Sequence, residues 1–154
     1  MKIDIFFMEY ARKIALQSTC CGKPKGAVIV KDGEIISSGF NNVPYNVQSC
    51  KLKYGHCHRR NLGYLTGQGL QFCRGIHAEA SAIVNAAKCG ISIANTTLYT
   101  THFPCNECAK LILCSGIERV VYSEEYLTDS NIDIFSQTNI HIIQHSIETE
   151  LSNN

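Results

Sequence analysis

A three-layer α/β/α sandwich around a mixed sheet of about five strands is the fold class this sequence predicts, and three observations predict it. A β-branched run, Ala27-Val28-Ile29-Val30-Lys31, meets a favoured two-residue turn at Asp32-Gly33 and returns over Glu34 to Phe40 as an antiparallel hairpin. From His77 onward, helix-type and strand-type patterns alternate, as they do where strands are joined by covering helices. A chain of 154 residues, 45% apolar and 18% charged, has enough material for one cored domain and too little for two, so residues 1–154 read as a single domain.

Each element has its own local reason. Ile3, Phe6, Phe7, Tyr10 and Ile14 recur at three- and four-residue spacing, which marks an amphipathic first helix with Asp4 as candidate cap and an end near Ser18. After the hairpin, residues 41–75 are irregular and rich in Gly, Asn, Tyr and Cys; a loop this long points to a function or to a staple that orders it. A helix then runs from about His77 to Lys88 and stops at Gly90; Thr96 to Thr101 is a strand; Pro104 opens a helix that Gly116 closes; Arg119 to Ser123 is another strand. Ser130 to Gln137 reads as a short helix and Ile140 to Gln144 as a last strand, with no internal repeat and no low-complexity linker.

Composition narrows the function classes. A formal charge of +1 gives no broad drive toward nucleic acid or membrane, so any phosphate has to be met by a local basic group. Asp4 and Glu9 interrupt the apolar stretch a secretory segment needs, and no later window resembles a membrane span, so the expected location is cytoplasmic. Nine cysteines in a reducing compartment argue for metal binding or catalysis before disulfides.

Two short segments carry chemistry: His77-Ala78-Glu79 and Pro104-Cys105-Asn106-Glu107-Cys108, each opening a helix. Cysteines three apart on a first turn share a face, so both sulfurs can reach one ion, and the positive end of the helix favours the thiolate. Adding His77 gives three protein ligands for zinc with a fourth position open, the arrangement of a catalytic rather than a structural site. Glu79 is close enough to face the ion without binding it and can move a proton from the attacking water to a leaving amine. A Cys-x-x-Cys alone would read as a structural zinc clip or a redox pair, and a lone His-x-Glu as noise; their combination argues against both readings.

At these motifs the sequence resembles the deoxycytidylate (dCMP) deaminase family, whose superfamily signature is His-x-Glu with Pro-Cys-x-x-Cys. The resemblance spans roughly Tyr10 to Asp129 and rests on Ser18-Thr19-Cys20, Gly26 to Val30, Gly39-Phe40-Asn41, Pro44, Cys73 to Glu79, Pro104 to Lys110, Leu111 to Val121 and Tyr126. It implies a cytidine deaminase-like fold and zinc-dependent hydrolytic deamination of dCMP to dUMP. His77, Cys105 and Cys108 would be the zinc ligands and Glu79 the proton shuttle. Asn41 would bond the substrate sugar, where the bland reading is a turn residue, and Ala78 would pack near the pyrimidine. Lys23 stands where relatives often place a phosphate-binding arginine, with Lys25 and Arg74 as other candidates. The family also implies a homo-oligomer built from dimers, up to a hexamer, with a small-molecule nucleotide as partner and no nucleic acid or membrane.

Other residues remain open. Cys20, Cys50, Cys57 and Cys73 fall where some relatives recruit a second, structural zinc; Cys21 could replace Cys20, His56 or His58 could replace Cys57, and the bland reading is four free thiols. Asn42 and Asn46 stand where regulated relatives often carry glycine, which predicts weak or absent activation by dCTP. Cys89 and Cys114 read as small buried apolar residues, and His102 as either a pocket-lining or a structural histidine. The competing functions are a deaminase of another cytosine nucleotide, a nucleoside or tRNA adenosine, and a catalytically silent zinc module linked to DNA uptake.

Overall fold

The computed structural model describes residues 2–65, 67–125 and 131–145, with side chains throughout except at 131–133. Tyr126, Asp129 and Ser130, which figure in the sequence reading, lie outside the described residues. The elements are α1 (Lys2–Ala15), β1 (Gly26–Lys31), β2 (Glu34–Phe40), α2 (Cys50–Tyr54), α3 (His58–Asn61), a single 3-10 turn (Leu70–Phe72), α4 (Ala78–Lys88), β3 (Thr96–His102), α5 (Asn106–Cys114), β4 (Ile117–Glu124), α6 (Asn131–Ser136) and β5 (His141–Gln144). They form one five-stranded sheet of order β2-β1-β3-β4-β5. β1 pairs antiparallel with β2 and β3, while β3, β4 and β5 run parallel, so the sheet is mixed.

Alternation along the strands explains the three layers. Val28, Val30, Tyr99 and Val121 face α1 and pack on Phe7, Met8 and Ala11. Their neighbours Ala27, Ile29, Leu98 and Val120 face the other way, onto Ala78, Ala82 and Ala86 of α4 and Ala109 and Ile112 of α5. Burying a side chain of this size contributes about 1.5–3 kcal/mol, so the two apolar faces hold both helical layers against the sheet.

Two glycines set how closely those layers approach. A Cβ on Gly26 would stand 2.1 Å from Ala11 O of α1, and one on Gly39 would stand 2.3 Å from Ala82 N of α4. Only glycine lets backbone meet backbone at that distance, so Gly39 is what lays α4 directly on β2.

Several expectations are corrected. Asp4 is not a cap: α1 begins at Lys2, and the buried Asp4 carboxylate is held by Arg119 Nη1 and Nη2 (2.9 and 3.0 Å) and by Tyr99 OH (2.7 Å). The Arg119 guanidinium, offsetting the cost of burial, holds the Asp4 carboxyl at about 2, well below its ordinary value. The first helix ends at Ala15 and only turns reach Ser18, through the Leu16, Gln17 and Ser18 amides. Cys89 and Cys114 are exposed rather than buried, each at the last turn of a helix.

The insert after β2 is not structureless. Its ends are pinned by Ile76 N donating to Asn42 O (2.7 Å) and Asn42 N to Ile76 O (3.3 Å), directly ahead of His77. Inside it, Ser49 caps α2, Arg59 Nη1 donates to Leu65 O and Gln68 O (2.7 Å each), and Tyr54–His58 and Tyr64–Phe72 stack. Asn46 sits at φ +62°, so the left-handed angle that glycine would supply is reached by asparagine, and only its side chain distinguishes the position.

Candidate active site

Two helices converge on one point. His77 caps α4, Cys105 caps α5, and Cys108 lies on the first turn of α5, so the positive ends of both helices face the same place. His77 Nδ1 stands 3.2 Å from Cys105 Sγ and 3.6 Å from Cys108 Sγ. Among the described residues these three make the one group of ligand-type side chains whose donor atoms all lie within 4.8 Å of one another. The Cys108 thiol and the His77 imidazole hold Cys105 down at about 4, while its anionic neighbour and burial push Cys108 up. Two soft sulfurs and one imidazole, buried and partly ionised, suit zinc.

Glu79 sits one helical step into α4 and is 4% exposed. Its carboxylate accepts from Thr100 Oγ1 at 3.0 Å and from the Cys108 thiol at 3.5 Å. Thr100 projects toward α4 because β3 alternates, so the strand that carries Cys105's loop also fixes the Glu79 carboxylate. Leu70 of the insert and Ile76 pack over Ala80, Cys105 and Cys108 and shield the sulfurs.

The cleft in front of His77 has a volume of about 220 Å³. Its walls hold Lys23, Lys25, Arg60, His102, Glu124 and Glu125 beside Asn41. Burial pulls the Lys25 ammonium below its ordinary value, and burial together with Lys25 lowers His102 to about 4 and keeps it neutral.

The chain belongs to the cytidine and deoxycytidylate deaminase family. Its profile, described as the cytidine and deoxycytidylate deaminase zinc-binding region, matches residues 1–124. The chain is 31% identical over 149 residues to ComE operon protein 2 of Bacillus subtilis, covering 93% of this chain and 71% of that protein. It is 36% identical over 127 residues to the deoxycytidylate deaminase of Mycobacterium phage D29, covering 79% and 94%. The crystal structure of dCMP deaminase from cyanophage S-TIM5 in complex with dCMP and dUMP superposes with a TM-score of 0.77 at 29% identity, covering 94% and 97%.

The other residues singled out in the sequence fall as follows. Asn41 lines the cleft, yet its amide is already a backbone clamp: Oδ1 accepts from Lys25 N (2.8 Å) and Nδ2 donates to Lys23 O (3.0 Å). Ala78 is fully buried and packs in the core. Arg74 donates to Gln48 O, lies against Tyr54, and is not among the lining residues of the cleft. Cys20, Cys57 and Cys73 line the cleft wall, and all nine cysteines are free; no three of Cys20, Cys50, Cys57 and Cys73 come within 4.8 Å of one another. Thr100, Arg60 and Glu124 were missed by sequence reasoning. Arg60 had a signal, a paired arginine beside Cys57 in a chain with little net charge; Thr100 and Glu124 had none.

Proposed function

We propose that the chain is a zinc-dependent hydrolase that converts dCMP to dUMP with release of ammonia, supplying dUMP for thymidylate synthesis. The observation that carries this reading is the convergence of His77 Nδ1 and two cysteine sulfurs beside a buried, oriented glutamate. His77, Cys105 and Cys108 would hold zinc there, and the ion would supply the Lewis acidity that activates water near neutral pH. Glu79 takes the proton of the attacking water and returns it to the leaving amine, so one water is consumed and one ammonia leaves for each dCMP. Thr100 keeps the carboxylate aimed while this happens. The similarity to a structure that holds dCMP and dUMP supports the substrate. A catalytically silent module has no use for an oriented Glu79.

Asn41 positions the Lys23–Lys25 backbone and retains one amide hydrogen and one lone pair for the sugar; Ala78 packs behind the base. Lys23 meets the phosphate, with Lys25 and Arg60 adding positive charge. A second ion among Cys20, Cys50, Cys57 and Cys73 would require those sulfurs to close in, and their shared neighbourhood supports it, since Cys50, Cys20 and Cys57 all act on Cys21. No helix among the described residues is long and apolar enough to cross a membrane, and nine free cysteines suit the cytosol. A homo-oligomer built from dimers completes the reading. Purified zinc-loaded protein should turn over dCMP with a specificity constant well above that for deoxycytidine, because a charged donor set is left unmatched when the phosphate is missing. Equal constants would favour a nucleoside deaminase.

A further inference from the structure

His102 carries a donor whose position its neighbours fix. The Gly26 amide donates to Thr101 Oγ1 at 3.2 Å, which leaves the threonine proton for His102 Nδ1, 3.1 Å away. Thr101 donating to Nδ1 places the ring proton of the neutral imidazole on Nε2, the nitrogen that stands beside the Glu124 carboxylate, where a bare lone pair would be repelled. His102 is 7% exposed, and this N–H makes no hydrogen bond. Glu124 Oε2 stands 3.3 Å away without closing a hydrogen bond to it. Lys23 Nζ approaches the same oxygen at 3.5 Å.

One carboxylate oxygen thus stands between an ammonium and an N–H donor on the wall of the substrate cleft. The attachment is loose, since the Lys23 and Glu124 side chains are 74% and 56% exposed. The frame around it is not. Glu124 O accepts from Phe103 N at 2.8 Å, and Asn41 clamps the backbone on either side of Pro24, so only side chains need to move.

We propose that Glu124 is a resident anion occupying the phosphate position of the cleft: the phosphate of the incoming nucleotide displaces its carboxylate and takes over Lys23 Nζ and His102 Nε2–H, whereas a nucleoside leaves it in place. A phosphate brings about −1.5 to −2 charge and several acceptor oxygens where the carboxylate brings one unit, so the same donors favour it. Glu124 then acts as an internal competitor that only a phosphorylated substrate outbids, and His102 as a specificity-determining residue. This rests on the dCMP reading for the substrate, but not for the anion site itself.

Inorganic phosphate titrated calorimetrically into zinc-loaded protein tests the site without turnover. Glu124→Gln should bind phosphate about two- to fivefold tighter, and lower KM for dCMP by a similar factor with kcat and all constants for deoxycytidine unchanged. Glu125→Gln removes the same charge from another lining residue, whose carboxylate is held by Tyr122 OH at 2.9 Å, and should gain less. His102→Leu should weaken phosphate and raise KM for dCMP by about tenfold or more without touching deoxycytidine, and His102→Gln, which restores an N–H, should recover part of the loss. The proposal is overturned if Glu124→Gln binds phosphate no tighter than wild type, if Glu125→Gln gains as much, or if His102→Leu slows both substrates equally. Where His102→Leu fails to fold, the two glutamate variants still decide. Wild-type protein that binds phosphate with these shifts but does not turn over dCMP would sink the substrate reading and leave the anion site standing.

Discussion

Replacing the Glu79 carboxylate by an amide keeps its volume and its place beside Thr100 and Cys108 but removes the basic oxygen that accepts a proton. Glu79→Gln should therefore retain fold and zinc while kcat for dCMP falls by about 100- to 10,000-fold; a zinc-loaded variant with near wild-type turnover would exclude Glu79 as the proton shuttle. This residue was legible because its signal is local: it stands two positions from His77 at the head of one helix. Asp4 was not, because its partners Tyr99 and Arg119 lie 95 and 115 residues away, and from the sequence alone an acid in a first turn looks like a cap. Its folded pKa of about 2 lies below the ordinary 3.8, so the ion pair stabilises the fold above about pH 4 and loses that contribution as pH falls toward about 2. Asp4→Asn should cost ~1–2 kcal/mol in urea unfolding at pH 7, and the gap to wild type should close across that acid window. A gap independent of pH would mean that packing rather than charge holds Asp4.

Elements whose cause lies within a few residues could be read directly: the Asp32-Gly33 hairpin, helix α4 stopped at Gly90, and α5 closed at Gly116, each with its glycine at positive φ. The insert could not, because α2 and α3 span only Cys50–Tyr54 and His58–Asn61, too short for a period to show, and are ordered by Arg59, by ring stacking and by the Asn42–Ile76 bridge. Gly39 was legible as a family residue but its physical reason was not, since the atom it makes room for is Ala82 N on another element. Gly39→Ala places a methyl 2.3 Å from that nitrogen, and backbone on both sides cannot yield as a side-chain tip would. We expect a loss of at least 1–3 kcal/mol in unfolding free energy, together with a lower kcat/KM because α4 carries both His77 and Glu79. Wild-type stability in this variant would show that the α4 backbone does not lie directly on Gly39.

Across the whole molecule, the three-layer plan followed from hydrophobic alternation, while the candidate metal site lies within one layer, where α4 and α5 meet. His77 belongs to α4, and Cys105 and Cys108 to α5, so one ion would tie two helices that already touch each other as well as the sheet, α4 on β2 and β1 and α5 on β4. Metal bound only by the folded chain stabilises it by mass action, and stripping it leaves two buried sulfurs and an imidazole competing for protons. Removing zinc with a chelator should therefore lower Tm by roughly 5 °C or more, given about 2–4 °C per kcal/mol for a chain of this size, and added zinc should restore it. Cys108→Ser should begin near the stripped value and respond little to either treatment. The same samples weigh the second site. If Cys20, Cys50, Cys57 and Cys73 close on an ion, elemental analysis returns about two zinc per chain in wild type and about one in Cys50→Ser, with a smaller drop in Tm because the insert is already held by its own hydrogen bonds. One zinc per chain in both proteins rejects that site and leaves the insert ordered by Arg59, its stacked rings and the Asn42–Ile76 bridge alone. A Tm unmoved by chelation, with zinc shown to have left, would mean that the two helices are positioned by the sheet and by each other and that the metal contributes chemistry without stability.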